Sequence, residues 1–201
     1  MKKLFHFLGC LCATAASADD SDYMPLSFYV EGDRIIAVGE IDGTSLDKFE
    51  DLVDINPELT TLVLKHVGGS VDDEANVEFS RFVRDLGFTT VVPVDGLVAS
   101  GGTDLFLAGA IRVIENGACV GVHSWAADDF TATDLPYTSG EHDRYLDYYD
   151  DIGIDLDFYW FTIEAAPATG MHWMNAMEVG QYDVATTSVT SLSAAPTCDI
   201  R

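Results

Sequence analysis

Short apolar runs alternate with turn residues and one helical stretch between residues 89 and 125, and this pattern narrows the choice of folds. Residues 89–94 form a β-branched run that predicts a buried strand, and residues 99–109 have the length of a helix. Two further apolar runs follow at residues 111–114 and 118–122. Repeated strand–helix–strand units are joined by right-handed crossovers. The segment therefore predicts an α/β fold with a largely parallel sheet.

Two residues of this segment carry side chains suited to nucleophilic catalysis. Ser100 lies where a strand passes into the helix, and Gly101 after it leaves the backbone N–H groups of the first turn accessible. His123 follows the last apolar run, at the carboxyl end of a strand, where open α/β sheets collect ligand-binding groups. The pattern indicates a serine that meets a histidine. The alternative is a helix N-cap at Ser100, worth about 1 kcal/mol, and a satisfied core histidine at His123.

A Gly-Gly pair follows an earlier strand. The apolar run that begins at Thr61 continues into Gly68 and Gly69, and a helix is predicted from about Asp72. Consecutive glycines adopt backbone conformations that other residues avoid, and they expose N–H groups that bind anions. The pair is thus a candidate half of an oxyanion hole, although a plain turn is the alternative.

The remaining segments complete the set of predicted elements. Residues 125–136 are polar and acidic and are interpreted as a mobile loop over the site. The other expected elements are a hairpin of residues 26–30 and 34–39, a helix capped by Thr44-Ser45 with Asp47, helices at 72–86, 141–150, 156–166 and 174–182, and a frayed tail from about 187.

Residues 1–18 have the three parts of a secretory signal peptide. Lys2-Lys3 gives a positive start, residues 4–12 form a short apolar core, and Ala16-Ser17-Ala18 is a small-residue cleavage site. We expect a single domain in residues 19–201 and a periplasmic or secreted location. The apolar core is shorter than the roughly 20 residues that cross a bilayer, so no membrane span is expected.

The chain is strongly acidic. It has 34 acidic and 10 basic residues and a net charge of −24. Nucleic acid is excluded as a partner because its binding needs clustered lysine and arginine, and anionic membrane surfaces are disfavoured for the same reason. The charge either attracts basic substrates or simply keeps the protein soluble, and the composition leaves both explanations open.

Two cysteines remain after cleavage, Cys119 and Cys198, in what is expected to be an oxidising compartment. They either form a disulfide that ties the tail to the sheet, or Cys119 is simply a small buried residue. The Cys and His residues match no metal-binding spacing, and His142 and His172 lack partners. No metal and no cofactor are expected.

Several motifs, taken in chain order, resemble the proteolytic subunit of the Clp protease and its crotonase-fold relatives, most closely the secreted bacterial Clp-like branch. The resemblance covers about residues 41–186. The matching motifs are Gly68-Gly69-Ser70-Val71, Gly87-Phe88-Thr89-Thr90-Val91, Ala99-Ser100-Gly101, Leu107-Ala108-Gly109, Arg112 and Gly121-Val122-His123-Ser124. The resemblance implies a Clp/crotonase-like spiral of β-β-α units.

The resemblance also implies a function. It assigns the nucleophile to Ser100, the general base to His123, and oxyanion binding to Gly68, Gly69 and Gly101. A secreted serine hydrolase follows, with a peptide or protein substrate and no ATPase partner, because the exported compartment supplies no nucleotide. A non-catalytic binding protein with the same fold is the second hypothesis, and an acyl-CoA enzyme is the third. The family also implies homo-oligomer contacts, for which the aromatic residues 158–161 are candidates; core packing is their alternative role.

This sequence departs from the family pattern at three positions. Val98 and Gly102 stand where the secreted branch has two cysteines that flank the serine. Met171 stands where the Clp protease has the aspartate of its triad, so no acid is assigned to orient His123. Spacing alone does not choose among the remaining acidic candidates, Asp128, Asp129, Asp155 and Asp157.

Overall fold

A largely parallel, eight-stranded sheet forms the centre of the fold in the computed structural model, which describes residues 23–127 and 129–199. The predicted signal peptide lies outside the described residues. The strands are β1 (Ser27–Glu31), β2 (Arg34–Val38), β3 (Thr61–Val67), β4 (Thr89–Val92), β5 (Leu97–Ala99), β6 (Ile111–Ile114), β7 (Cys119–Val122) and β8 (His172–Trp173). The helices are α1 (Ser45–Ile55), α2 (Asp73–Asp85), α3 (Gly101–Leu107), α4 (Asp143–Ile152), α5 (Leu156–Ala165) and α6 (Ala176–Gln181).

Strand β3 is shared by two ladders of parallel strands. Its residues 61–63 pair with residues 89–91 of β4, whereas its residues 66–67 pair with residues 97–98 of β5. Strand β4 continues to β6, and β5 continues to β7, again in parallel. The pairs β4-β5 and β6-β7 therefore each add one strand to both ladders, as a spiral of β-β-α units requires. The predicted α/β fold with a largely parallel sheet is confirmed.

Apolar packing fixes the helices on this sheet. Phe49 of α1 lies with its ring centroid 5.2 Å from that of Phe79 on α2 and 5.4 Å from that of Phe88 before β4. Leu105 and Phe106 of α3 are fully buried. Full burial of one such side chain stabilises the fold by roughly 1.5–3 kcal/mol. Ser100 therefore lies at the start of a tightly packed helix.

Strand β5 is absent from the sequence-based prediction. The chain leaves β4 at Val92, turns through Pro93 and Gly96, and forms β5 before it reaches Ser100. The Gly96 N–H donates to the Pro93 carbonyl at 2.7 Å and closes this turn. A strand of three residues is too short to show an alternating pattern, so the sequence assigns no element to residues 97–98 and places Ala99 in the helix.

The predicted cap of α1 is wrong. Thr44 occupies the N-cap position, but its side chain accepts no capping hydrogen bond. Instead, the Asp42 carboxylate accepts hydrogen bonds from the Thr44 N–H at 2.8 Å, from the Thr44 hydroxyl at 2.7 Å and from the Ser45 hydroxyl at 3.1 Å. The Asp42 carboxylate, two residues before the N-cap, therefore fixes the start of α1 through charge-assisted hydrogen bonds, which are stronger than neutral ones.

The C-terminal tail is attached to the sheet, which corrects the expected frayed segment. The Gly117 N–H donates to the Ser191 carbonyl, and the Ser193 N–H donates to the Ala118 carbonyl, both at 3.0 Å. Cys198 forms a disulfide with Cys119, the first residue of β7. Of the two roles left open for the cysteines, the structure shows the disulfide, and the tail lies along the strand that leads to the candidate histidine.

None of the helices in the described part of the chain combines the length and the apolar character needed to cross a bilayer.

Candidate active site

Ser100 adopts a backbone conformation that is costly for a residue with a side chain. It connects β5 to α3 with φ 51° and ψ −128°. Non-glycine residues in such sparsely populated regions carry about 1–3 kcal/mol of strain, and they cluster at functional sites. The Ser100 side chain makes no capping hydrogen bond to α3, so the simple N-cap alternative does not describe it. A sharp strand-to-helix turn of this kind presents a serine hydroxyl at the surface of its site, as in nucleophile elbows.

Glycines allow the chain to pack closely around this serine. A Cβ atom on Gly102 would lie 2.0 Å from the Val67 carbonyl oxygen, and one on Gly101 would lie 2.5 Å from the Ser70 hydroxyl. A Cβ on Gly69 would lie 3.7 Å from the Cβ of Ser100, so the Gly68-Gly69 turn borders the serine. Because Gly102 stands where the secreted Clp-like branch has a cysteine, its close approach to β3 explains why no side chain fits there.

The N–H groups of the three candidate oxyanion residues are not used in backbone hydrogen bonds within the described structure. Among the described residues, the N–H groups of Gly68, Gly69 and Gly101 donate no backbone hydrogen bond. The Gly101 amide belongs to the first turn of α3, whose N–H groups have no partner within the helix. These amides are available to an anionic atom, and their role as oxyanion donors stays a prediction.

His123 and Ser100 line one cavity, as the sequence pattern predicted. His123 follows β7, and the cavity that it shares with Ser100 has a volume of about 40 Å³. No hydrogen bond joins the Ser100 hydroxyl to the imidazole in the described structure. A water molecule needs roughly 10–15 Å³ of such volume, so the cavity has room for a few waters and must widen to admit a peptide.

The environment of the imidazole favours its neutral form. Burial lowers the pKa of His123, while the backbone carbonyls of Ser124 and Ala168 and the carboxylate of Asp73 oppose this shift. A neutral imidazole can accept a proton from a serine at neutral pH. Its Nδ1 atom is buried and has no hydrogen-bond partner in the described structure.

The described candidates for the third member of a triad form no hydrogen bond with Nδ1 of His123. Met171 packs against β7, where its sulfur would lie 2.7 Å from a Cβ atom on Gly121. Asp155 caps α5 by accepting the Asp157 N–H at 2.9 Å. Asp128 lies outside the described residues. None of the described acids singled out from the sequence, Asp129, Asp155 and Asp157, therefore orients the histidine through Nδ1.

Two carboxyl groups that the sequence analysis missed also line the cavity, Asp73 of α2 and Asp104 of α3. Asp73 accepts hydrogen bonds from the Ser70 hydroxyl at 2.7 Å and from the Tyr145 hydroxyl at 2.5 Å. Asp104 accepts one from the Tyr149 hydroxyl at 2.6 Å. Burial raises the pKa of Asp104 to about 7, and the negative charge of Asp73 adds to the shift. The sequence contains one signal for Asp104: it lies four residues, or about one helical turn, after Ser100, so the two residues are expected on the same side of α3.

Aromatic rings close the cavity opposite the serine. Tyr145 stacks between Trp125 and Tyr159, with centroid distances of 5.8 and 5.6 Å. The Tyr159 hydroxyl accepts the indole N–H of Trp125 at 3.0 Å and bonds to Nδ1 of His142 at 2.6 Å. His142 is fully buried, and its hydrogen bond to Tyr159 makes it part of this aromatic wall. Trp125 itself belongs to this wall and not to a loose loop.

The Nε2 atom of His172 lies 3.0 Å from a carboxylate oxygen of Glu178. Among the described residues, no group of three or more His, Cys, Asp or Glu side chains could hold a metal ion. Phe158 and Tyr159 are buried within the chain, which supports core packing for these two rings of the 158–161 segment. Self-association stays a prediction based on the family resemblance.

Solved structures of other proteins share this fold. A mutant of a membrane-bound stomatin-specific protease in complex with a substrate peptide aligns with a TM-score of 0.53 at 15% identity, covering 78% of this chain and 73% of that chain. Methylmalonyl CoA decarboxylase aligns with a TM-score of 0.52 at 11% identity, covering 85% of this chain and 69% of that chain. An enoyl-CoA hydratase from Polaromonas sp. JS666 gives 0.50 at 11% identity, covering 84% and 72%.

No protein-family model matches the sequence, and no curated protein matches it by sequence. The similarity to solved structures therefore concerns the fold, which is Clp/crotonase-like, as the sequence resemblance implied. One similar structure is a protease and the other two act on CoA compounds, so the fold alone does not choose between these chemistries.

Proposed function

We propose that this protein is a secreted, ATP-independent serine hydrolase of the Clp-like type that cleaves a peptide or protein substrate. The observation that carries the proposal is the strained backbone of Ser100, which holds the serine at a strand-to-helix turn on the wall of a cavity that His123 also lines. Strain of this kind persists only where the surrounding structure enforces it. The buried core of α3 and the close contact with β3 provide that enforcement.

The chemistry follows from these positions. The Ser100 hydroxyl attacks the substrate carbonyl, and His123 takes up its proton. The oxyanion accepts hydrogen bonds from the Gly101 amide and from the Gly68-Gly69 turn. His123 then returns the proton to the leaving amine as the peptide C–N bond breaks. In the second half of the reaction, His123 takes a proton from water, the water oxygen attacks the acyl carbon, and His123 gives the proton to the Ser100 oxygen as the ester bond breaks and the acid product leaves. The small volume of the cavity requires the aromatic wall to move before a peptide enters.

A non-catalytic binding protein with the same fold is the alternative. It is favoured by the missing hydrogen bond between Ser100 and His123 in the described structure and by the unpartnered Nδ1 atom of the histidine. In serine proteases, loss of the orienting acid lowers kcat by about 10⁴-fold. Weak hydrolysis is therefore expected, and a direct test of serine reactivity is needed to separate the two functions.

Covalent labelling by a fluorophosphonate probe makes that test. A serine activated by a neighbouring base attacks phosphorus, so we expect labelling near neutral pH with the adduct mapped by mass spectrometry to Ser100. Ser100→Ala should abolish the label, and His123→Ala should slow it by roughly 100-fold or more. Ser27→Ala, on exposed strand β1, is the matched control and should label as the parent does. Folded parent protein that stays unlabelled between pH 5 and pH 9 would establish the binding-protein alternative.

A further inference from the structure

His123 lines two cavities. The first is the Ser100 cavity, and the second has a volume of about 370 Å³. Among the described residues, His123 is the one that lines both, so the second cavity contains the base but neither the serine nor the glycines of the candidate oxyanion hole. Pockets that bind ligands have volumes of roughly 300–1,000 Å³. The second cavity therefore has room for a part of a substrate beside the imidazole.

The register of β7 and β8 brings apolar side chains into this second cavity. The two strands are antiparallel, with Gly121 opposite Trp173. Two residues further along β7, the same register puts Met171 opposite His123. Directly opposed residues have their side chains on the same face of a sheet, and so do residues two apart on one strand. Met171 and Trp173 therefore share the face of His123, and both line the second cavity.

A glycine and a disulfide shape this cavity. A Cβ atom on Gly121 would lie 2.7 Å from the Met171 sulfur and 2.8 Å from the Trp173 ring, so glycine lets both side chains settle on β7. They pack there against the disulfide of Cys119 and Cys198, yet both stay partly exposed. Apolar surface that remains in contact with water gains free energy when a ligand covers it. The cavity thus favours an apolar side chain.

The charged groups around the second cavity do not select a charged residue. Asp199 is the carboxylate among the described lining residues, and it already takes part in an interaction within the chain. No lysine or arginine lines the cavity in the described structure. A methionine such as Met171 is flexible and adapts to apolar groups of different shape. A large aliphatic or aromatic residue is therefore the occupant that these contacts fit.

Proton transfer indicates which part of a substrate reaches this cavity. In the proposed mechanism, His123 takes the proton of Ser100 and gives it to the nitrogen of the leaving amine as the C–N bond breaks. The acyl carbon and its oxygen stay at Ser100 and the glycine amides. The leaving nitrogen must come within hydrogen-bond reach of the imidazole. The residue that carries this nitrogen consequently lies on the His123 side of the scissile bond.

We propose that the second cavity is a specificity subsite for a large apolar residue directly after the scissile bond, with Met171 and Trp173 as its contact residues. The role of the subsite in cleavage rests on the proposed hydrolase function, whereas binding of the apolar residue is measurable without turnover. The proposal also gives Met171 a role. The residue that stands in place of the family's aspartate forms part of the wall that receives the substrate.

Binding of the leaving product tests the subsite. The test uses oxidised Ser100→Ala protein, which forms no acyl-enzyme, and the probes Phe-Ala-Ala-amide and Ser-Ala-Ala-amide, which carry the same charge. We expect the phenylalanine peptide to bind about 10-fold more tightly or better, because its ring leaves water. It should also shift the NMR signals of the Met171 methyl group and the Trp173 indole. Equal affinities, or unshifted signals of both residues, would overturn the inference.

Substitutions of Met171 test its contact with the apolar residue. Met171→Ser should reduce the preference for phenylalanine by roughly 4-fold or more, the equivalent of one methylene group lost from contact. Met171→Leu keeps an apolar side chain of similar size and should retain the preference. Met177→Ser is the matched control, because Met177 lies on α6, is 81% exposed and does not line the cavity. A preference that Met171→Ser leaves unchanged would contradict the assignment of Met171.

Comparison with serine reactivity separates this inference from the proposed function. In a parent protein that cleaves peptides, phenylalanine directly after the scissile bond should raise kcat/KM by about 10-fold or more over serine. A parent that resists fluorophosphonate labelling but binds the phenylalanine peptide at Met171 would remove the hydrolase proposal and keep the apolar binding site. Labelling of Ser100 together with equal binding of the two peptides would keep the hydrolase and remove the subsite.

Discussion

Asp104 shows how the site changes the chemistry of a single residue. Its carboxyl is enclosed by α3, α4 and the serine cavity, and its pKa is raised to about 7 from the ordinary value of 3.8. The folded protein therefore binds a proton at Asp104 in a pH range where the unfolded chain has released it. Linkage then requires the stabilisation from this proton to be complete below about pH 4 and to disappear as the pH rises to about 7.

Asp104→Asn should remove this pH dependence, because the amide resembles the protonated carboxyl. The variant should gain stability over the parent between pH 4 and pH 8, by roughly 2–4 kcal/mol at the upper end. Urea unfolding at several pH values measures the difference. Asp54→Asn on the exposed side of α1 is the control, and an equal pH dependence in the parent and in Asp104→Asn would contradict the prediction.

We expect the protonation state of His123 to control how the reactivity of Ser100 depends on pH. Its pKa is lowered by burial, so the neutral base is already formed below pH 6.5. We expect the labelling rate to rise with pH and to reach half of its plateau below 6.5, the ordinary value for histidine. Asp73→Asn should move this midpoint lower still, because Asp73 stabilises the imidazolium. A midpoint above 6.5 in the parent would show that burial does not control the base.

At the level of elements, the junction between α3 and β3 depends on a glycine. A Cβ on Gly102 would lie 2.0 Å from the Val67 carbonyl oxygen, which is backbone and cannot rotate away. We expect Gly102→Ala to push α3 from β3, to lower the free energy of unfolding by about 1–3 kcal/mol or more and to abolish labelling of Ser100. Thermal and urea unfolding measure the first effect, and the fluorophosphonate probe measures the second.

Gly180 provides the matched control for this substitution. It lies within α6, and a Cβ there would meet no atom within 4 Å. Alanine restricts the unfolded chain more than glycine, so Gly180→Ala should stabilise the protein by about 0.5–1 kcal/mol and leave labelling unchanged. Equal effects of the two substitutions would mean that the α3–β3 contact is not specific.

The sequence predicts the long elements and the positions of the serine and the histidine, because local patterns encode them. Strands β3, β6 and β7 show as apolar runs, and the glycines mark close contacts. Strand β8, of two residues, has no such pattern and forms only because it pairs with β7. Asp73 and Asp104 were also missed, since helices α2 and α3 bring them to one cavity from distant parts of the chain. The attachment of the tail was missed because its contacts with Asn116 and Cys119 span 74 and 79 residues of sequence.

At the scale of the whole molecule, charge repulsion opposes folding. The net charge is −24, and ion pairs such as Lys65 with Asp95 and Arg81 with Asp151 neutralise few of the 34 acidic residues. Salt screens repulsion between exposed charges over about 10 Å at 0.1 M. We expect the Tm to rise by several degrees between about 0.01 and 0.5 M NaCl. Tetramethylammonium chloride should act equally, and a rise that depends on the identity of the cation would indicate specific ion binding instead.

The shared strand β3 also has a consequence for how the molecule opens. Both ladders of the sheet take hydrogen bonds from this one strand, β4 through residues 61–63 and β5 through residues 66–67. If either ladder separates from β3, the part of β3 that pairs with the other ladder also becomes exposed. Amide protons of β4–β6 and of β5–β7 should therefore exchange with solvent through one common opening reaction, with protection factors that fall together when β3 is weakened.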